Sequence, residues 1–269
     1  MATVSGYIPV GKGQLHYTRS GSGVRILLVF HGYGHEGESM HIFEKHLSKE
    51  FTCYFFDLPH HGKSVWDKQH LLQAGELAAL VETLMKTHRV KKISLLGYSI
   101  GGRVCLSIIG AMPQYIQKAT LLAPDGLRTD PYYYFFTKNF AGKLIFRQMV
   151  ENPVIYYKLI NFLRSKNLLG ESRYKFVMRY LDDENKRRQL GEAWPVLAAL
   201  VAGKTYLREI IKEYRIPVTI FMGKYDRVIA PPLAKKFCVG LDTVQLHILE
   251  KGHRVYDAHN AAAIAQTLL

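Results

Sequence analysis

Three side chains, far apart along the chain, have the types needed to make a hydroxyl nucleophilic near neutral pH. The pentapeptide Gly97-Tyr98-Ser99-Ile100-Gly101 fits G-x-S-x-G. In that pattern the serine sits on a sharp turn between a strand and a helix, and glycines on either side avoid a clash. The turn lifts Oγ above the sheet. It also sets the nucleophile at a helix N-terminus, where backbone N–H groups favour negative charge. The Ile100 N–H is then a natural donor to a developing oxyanion. A serine needs a base, and histidine is the usual one. Of twelve histidines, His253 is best placed, in Lys251-Gly252-His253 just past the last predicted strand. The acid that orients the base falls between the two in chain order. Asp226, in Gly223-Lys224-Tyr225-Asp226, fits that place. Asp125 competes with it, because it also follows the end of a predicted strand.

A second oxyanion donor is needed, and the loop His31-Gly32-Tyr33-Gly34 can supply it through the Tyr33 N–H. The same loop supports a rival reading. Gly32, Gly34 and Gly37 form G-x-G-x-x-G, and Asp57 lies 20 residues past Gly37. That spacing imitates a dinucleotide fingerprint and would make the chain an NAD-linked oxidoreductase. It leaves Gly97–Gly101, Asp226 and His253 as coincidence, whereas nucleophilic catalysis uses all of them.

These groups need a frame to bring them together. Continuous apolar runs such as RILLVF (25–30) and FTCYFF (51–56) suit strands buried on both faces of a parallel sheet. Strands are predicted over 7–10, 14–18, 25–30, 51–57, 92–96, 119–123, 217–222 and 243–249. Helices are predicted over about 38–49, 68–88 and 100–109, from 232 and from 255. The alternation implies parallel βαβ units in a three-layer α/β architecture, whose ligands bind beyond the carboxyl ends of the strands. Ser99, Asp125, Asp226 and His253 all fall at such ends. Between about 128 and 215 no strand is predicted. That block is helical, aromatic and basic, starting with Tyr132-Tyr133-Tyr134-Phe135-Phe136. The predicted organisation is a core domain of 1–127 and 216–269, interrupted by a helical insertion over 128–215.

A chain of 269 residues, 48% hydrophobic, can bury one sizeable core. The net charge of +14 leaves contact with an anionic membrane surface open. Its lysines and arginines are scattered, and no nucleic-acid-binding signature accompanies them, so no nucleic-acid partner is expected. Cys53, Cys105 and Cys238 are odd in number and widely spaced, which favours free thiols and a reducing compartment. The first residues lack a signal-peptide pattern, and no apolar run reaches membrane-spanning length, so a cytoplasmic location is expected.

With these residues in place, the chain resembles the α/β-hydrolase superfamily along nearly its whole length. The matching segments are HGYG (31–34), DLPHHGKS (57–64), GYSIGG (97–102), GKYDRVIAP (223–231) and KGH (251–253), in the superfamily's order. One departure is His60, where relatives usually carry glycine. The resemblance implies a mostly parallel sheet with helices on both faces, an inserted helical cap over 128–215 that sets substrate choice, and no metal or organic cofactor. Esterases, lipases, carbon–carbon bond hydrolases and the pyruvate-eliminating synthase of the menaquinone pathway all belong to it. GYSIGGR looks like that synthase as well as like esterases. Arg103 sits four residues after Ser99 and tilts towards it, so it is a candidate contact for an anionic substrate. The alternative for Arg103 is an ion pair elsewhere in the fold. The leading expectation is hydrolysis of a small-molecule carboxylic ester or related acyl substrate by Ser99, His253 and Asp226, with Tyr132–Phe136 lining an acyl pocket or packing the cap's own core. Carbon–carbon cleavage or pyruvate elimination on an acidic substrate, the oxidoreductase, and a non-catalytic binding protein are the alternatives.

Overall fold

The computed structural model describes every residue except 1, 2, 129, 130, 172, 173, 175–177, 179, 180 and 201, and the side chains of 131 and 132. Its contacts divide the chain into two compact units, 1–129 with 199–269, and 130–198.

The first unit is built on an eight-stranded sheet. Its strands are β1 (Val4–Val10), β2 (Gly13–Ser20), β3 (Arg25–Phe30), β4 (Phe51–Phe56), β5 (Ile93–Tyr98), β6 (Ile116–Leu122), β7 (Val218–Gly223) and β8 (Val244–Leu249). They lie in the order β1-β2-β4-β3-β5-β6-β7-β8. β1 and β2 form an antiparallel hairpin, and β2 runs antiparallel to β4; every other pair is parallel. The apolar runs explain this placement. No residue of β3, β4, β5 or β7 is exposed, as strands covered on both faces require. The edge strands β1 and β8 carry exposed residues along their length.

Helices cover both faces of the sheet. Leu27 and Val29 of β3 share one cluster with Met40 and Phe43 of a 3-10 turn (Gly37–Phe43), Leu47 of α1 (Glu44–Leu47) and Ile264 of α10 (Ala261–Gln266). α2 (Ala74–His88) packs on α3 (Ile100–Ala111), which lies along β3, β5 and β6. Each such buried aliphatic or aromatic side chain contributes roughly 1.5–3 kcal/mol over its exposed state.

Two predicted helices differ in detail. Residues 38–49 form the tight 3-10 turn and then the short α1, because Asp57 Oδ1 accepts the Gly37 N–H at 2.7 Å and Ser39 Oγ turns back to the Glu36 carbonyl at 2.6 Å. The last helix starts at Ala261 and not near 255. Asp257 Oδ1 takes the N–H groups of His259 and Asn260, at 3.0 and 3.2 Å, and Asn260 Nδ2 donates to Val255 O at 2.7 Å, which closes a turn first.

The second unit contains α4 (Pro131–Lys138), α5 (Phe140–Glu151), α6 (Val154–Ser165) and α7 (Glu184–Leu197), and no strand among its described residues. Two members of the aromatic run, Tyr133 and Phe136, pack within this unit's own core. Tyr133 donates to Trp194 O at 2.9 Å and lies edge-on to its ring. Phe136 packs on Phe146, which stacks on Trp194. Tyr134 and Phe135 are exposed, and the Tyr132 side chain lies outside the described residues. The unit ends short of the predicted limit at 215. α8 (Lys204–Glu213) packs on α3 of the first unit, burying Leu207 and Ile211, and Tyr206 donates to Gly110 O at 2.7 Å. α9 (Pro231–Cys238) completes the first unit between β7 and β8.

Candidate active site

β5 ends at Tyr98 and α3 begins at Ile100, so Ser99 alone makes the turn between them. It has φ 53° and ψ −115°, a strained conformation for a residue with a side chain. The surroundings hold it there. Its N–H donates to Leu122 O at 2.9 Å, and its carbonyl accepts from Gly102 N at 2.9 Å and Asp125 N at 2.8 Å. The flanking glycines are sterically required. A Cβ at Gly101 would stand 2.2 Å from Phe30 O, and one at Gly97 would stand 2.5 Å from Gly101 O.

His253 follows β8, and Asp226 lies in the turn that follows β7. His253 Nε2 is 2.9 Å from Ser99 Oγ, and His253 Nδ1 is 2.8 Å from Asp226 Oδ2. A carboxylate can only accept, so Nδ1 carries the proton and Nε2 is left to accept from the Ser99 hydroxyl. The Asp226 side chain is fully buried. Its second oxygen accepts the N–H groups of Val228 and Ile229, at 2.8 and 2.9 Å, which compensates the buried charge and fixes the carboxylate plane. The Tyr98 ring packs against both His253 and Tyr256 and limits how far the imidazole can turn.

Asp125 and Arg103 have another arrangement. Arg103 is buried in α3, and its Nη2 donates to Asp125 Oδ2 at 2.6 Å. Asp125 Oδ1 accepts the Gly126 N–H at 2.6 Å. The carboxylate that competes with Asp226 by position is therefore bound to Arg103. The guanidinium, a candidate contact for an anionic substrate or a partner in an ion pair, is held by that carboxylate.

The loop 31–34 lies beside the serine: a Cβ at Gly32 would come 3.4 Å from Ser99 Cβ. Ile100 is the first residue of α3, where an N–H has no intrahelical acceptor. Two histidines to which sequence reasoning assigned no role tie this loop to the 57–64 loop. His31 Nδ1–H donates to Gly32 O at 2.7 Å, and its Nε2 accepts the Leu58 N–H at 2.9 Å. His61 Nδ1–H donates to Pro59 O at 2.8 Å, and its Nε2 accepts the Gly34 N–H at 3.2 Å. Both rings are buried and engaged by backbone at both nitrogens. Burial pushes His31 down to about 3, helped by the neighbouring His61. Burial likewise pushes His61 down to about 4. The signal for these roles was present in HGYG and DLPHHGKS, but nothing in the residue types marks a histidine as a two-sided backbone clamp.

Asp57 shows why the glycine spacing is not a dinucleotide site. Its carboxylate accepts from Gly37 N at 2.7 Å, Lys63 N at 2.9 Å and His16 Nδ1 at 2.7 Å. Burial alone would raise its pKa, but the bonds from Lys63, Gly37 and His16 outweigh that and hold it below the usual carboxylate range. The acid that imitated a ribose ligand thus closes the glycine loop itself. His60, the departure from the usual glycine, has φ 60°, in the left-handed region that favours glycine.

Comparison with known proteins agrees with this geometry at the level of the fold. The family model described as the alpha/beta hydrolase fold matches residues 25–256. The chain is 24% identical over 251 residues to YugF, an uncharacterised hydrolase of Bacillus subtilis (strain 168), covering 89% of this chain and 86% of that one. It is 26% identical to the dihydrolipoyllysine-residue acetyltransferase component of the acetoin cleaving system of Pseudomonas putida, over 87% of this chain but only 60% of that protein. The crystal structure of naproxen esterase (carboxylesterase NP) from Bacillus subtilis superposes with a TM-score of 0.65 at 16% identity, covering 99% of this chain and 90% of that one.

Proposed function

The chain belongs to the alpha/beta hydrolase fold family, and on that premise we propose that it hydrolyses carboxylic esters through an acyl-enzyme on Ser99. The observation that supports this best is the continuous chain Ser99 Oγ, His253 Nε2, His253 Nδ1, Asp226 Oδ2, with spacings of 2.9 and 2.8 Å. In the proposed reaction Ser99 Oγ attacks the ester carbonyl as His253 Nε2 takes its proton. Asp226 holds the imidazole in the right tautomer and stabilises the imidazolium. The tetrahedral oxyanion is received by the N–H groups of Ile100 and Tyr33. His253 then returns the proton to the departing alcohol. In the second half a water gives its proton to His253, adds to the acyl carbonyl and releases the acid, with the proton going back to Ser99.

The small-molecule substrate needs no metal or organic cofactor in this scheme. The unit 130–198 is proposed as the inserted helical cap. The reading as a carbon–carbon hydrolase or pyruvate-eliminating synthase drew on Arg103 reaching an anionic substrate, and the Arg103–Asp125 pair makes the ester reading the better supported. Buried free thiols at Cys53 and Cys105 suit a cytoplasmic location. Among the described residues no helix is long and apolar enough to cross a membrane.

The test is a p-nitrophenyl ester chain-length series run beside a panel of acidic carbon–carbon substrates, together with labelling by a fluorophosphonate. Ester turnover and time-dependent labelling are expected, and both should disappear in Ser99→Ala. Turnover confined to the acidic panel and crippled by Arg103→Ala would replace the ester reading, and labelling that persists in Ser99→Ala would remove Ser99 from its role.

A further inference from the structure

A helix in the second unit has an outward side that its packing does not use. The inward side of α6 is accounted for: Ile160 is buried, and Tyr157 donates to Leu181 O at 2.8 Å. The opposite side is also apolar. Val154, Ile155, Leu159 and Phe162 are 66%, 72%, 48% and 55% exposed. At 100° per residue, these four and the exposed Lys158 and Lys166 fall within an arc of about 140° on one face. A soluble surface helix normally keeps such a face polar, and large exposed apolar stripes mark places of contact.

We propose that this face of α6 docks on an anionic lipid surface. Charge selects the occupant. Between 140 and 166 the chain has five lysines and arginines against one acidic residue, Glu151. A second copy of the same helix would set Lys158 and Lys166 against their own counterparts, whereas anionic headgroups neutralise both. Shape agrees, since a convex helix surface meets a flat interface without a groove to receive it. A helix of 12 residues is too short to span a bilayer but long enough to lie in its interface, with Ile155, Leu159 and Phe162 among the acyl chains and the lysines at the headgroups. The proposal does not rest on the ester reading, because no residue of that site takes part.

The test is flotation of the full chain with vesicles of phosphatidylcholine alone and of phosphatidylcholine with one-third phosphatidylglycerol. Binding to the anionic vesicles and not to the neutral ones is expected, weakened by high salt. The double substitution Ile155→Gln with Phe162→Gln should lower partitioning by about tenfold or more, with an unchanged far-UV spectrum and melting midpoint. Lys158→Glu with Lys166→Glu should remove the preference for anionic lipid, and Ser99→Ala should float like the parent. Absence of flotation, or flotation indifferent to both double substitutions, overturns the proposal. A doubled mass by sedimentation in vesicle-free buffer, abolished by the Ile155/Phe162 pair, overturns it in favour of a second copy as the occupant.

Discussion

At the residue scale, the two aspartates past β6 and β7 differ by what binds them. Asp226 accepts from Val228 and Ile229 through one oxygen and from His253 through the other. Replaced by Asn, it would keep its oxygen on the two N–H groups and turn its amide towards Nδ1. The imidazole would then have to carry its proton on Nε2 and could no longer accept from Ser99. Asp226→Asn is therefore expected to lower kcat for esters by about 10⁴, measured by steady-state kinetics. Asp125→Asn should leave kcat within about tenfold but remove the charge paired with a buried guanidinium and leave one accepting oxygen where Arg103 and the Gly126 N–H now use two, at a cost of about 1–3 kcal/mol read from urea unfolding. The reverse result, an active D226N beside a dead D125N, would exchange their roles.

At the scale of elements, the turn between β5 and α3 works because neighbouring backbone fills the space that side chains would need. Gly101→Ala forces a Cβ against the Phe30 carbonyl, and a buried main chain cannot step aside as a flexible side chain can. A loss of at least about 2 kcal/mol is expected, visible as a lower urea midpoint or as insoluble protein. The 31–34 loop depends on a different device. His61 receives the Gly34 N–H, so His61→Ala leaves that donor without its acceptor and loosens the backbone beside Ser99. Lower kcat with little change in KM is expected, because an oxyanion donor acts mainly in the transition state. Labelling by fluorophosphonate should slow in parallel, and an unchanged labelling rate would count against this role for the loop.

For the molecule as a whole, the same two histidines set how stability responds to acid. His31 and His61 titrate at about 3 and about 4 in the fold and near 6.5 when unfolded, so below 6.5 the unfolded chain binds more protons. Stability is complete above 6.5 and falls as pH drops towards 4, by about 1 kcal/mol per pH unit for each ring. Asp57, whose pKa is lowered, acts in the same direction. Urea midpoints measured between pH 7.5 and 4.5 should decline, and His61→Gln should flatten that decline while lowering the midpoint at pH 7.5. The sequence by itself was enough to expect most of the strands, from unbroken apolar runs, and to name Ser99, Asp226 and His253 as candidates, from a glycine-flanked turn and the ends of predicted strands; the family came from the resemblance of five short motifs. Chain order left Asp125 open beside Asp226, because both lie between Ser99 and His253. Only the tertiary structure decided that Arg103 and Asp125 pair, that Asp57 closes the glycine loop, that His31 and His61 clamp it, and that Tyr133 of the aromatic run packs on Trp194. Each of those depends on partners 20 to 61 residues away. A hydrogen bond is chosen by which groups the fold brings within 3 Å or so, and residue type alone lists candidates without choosing among them.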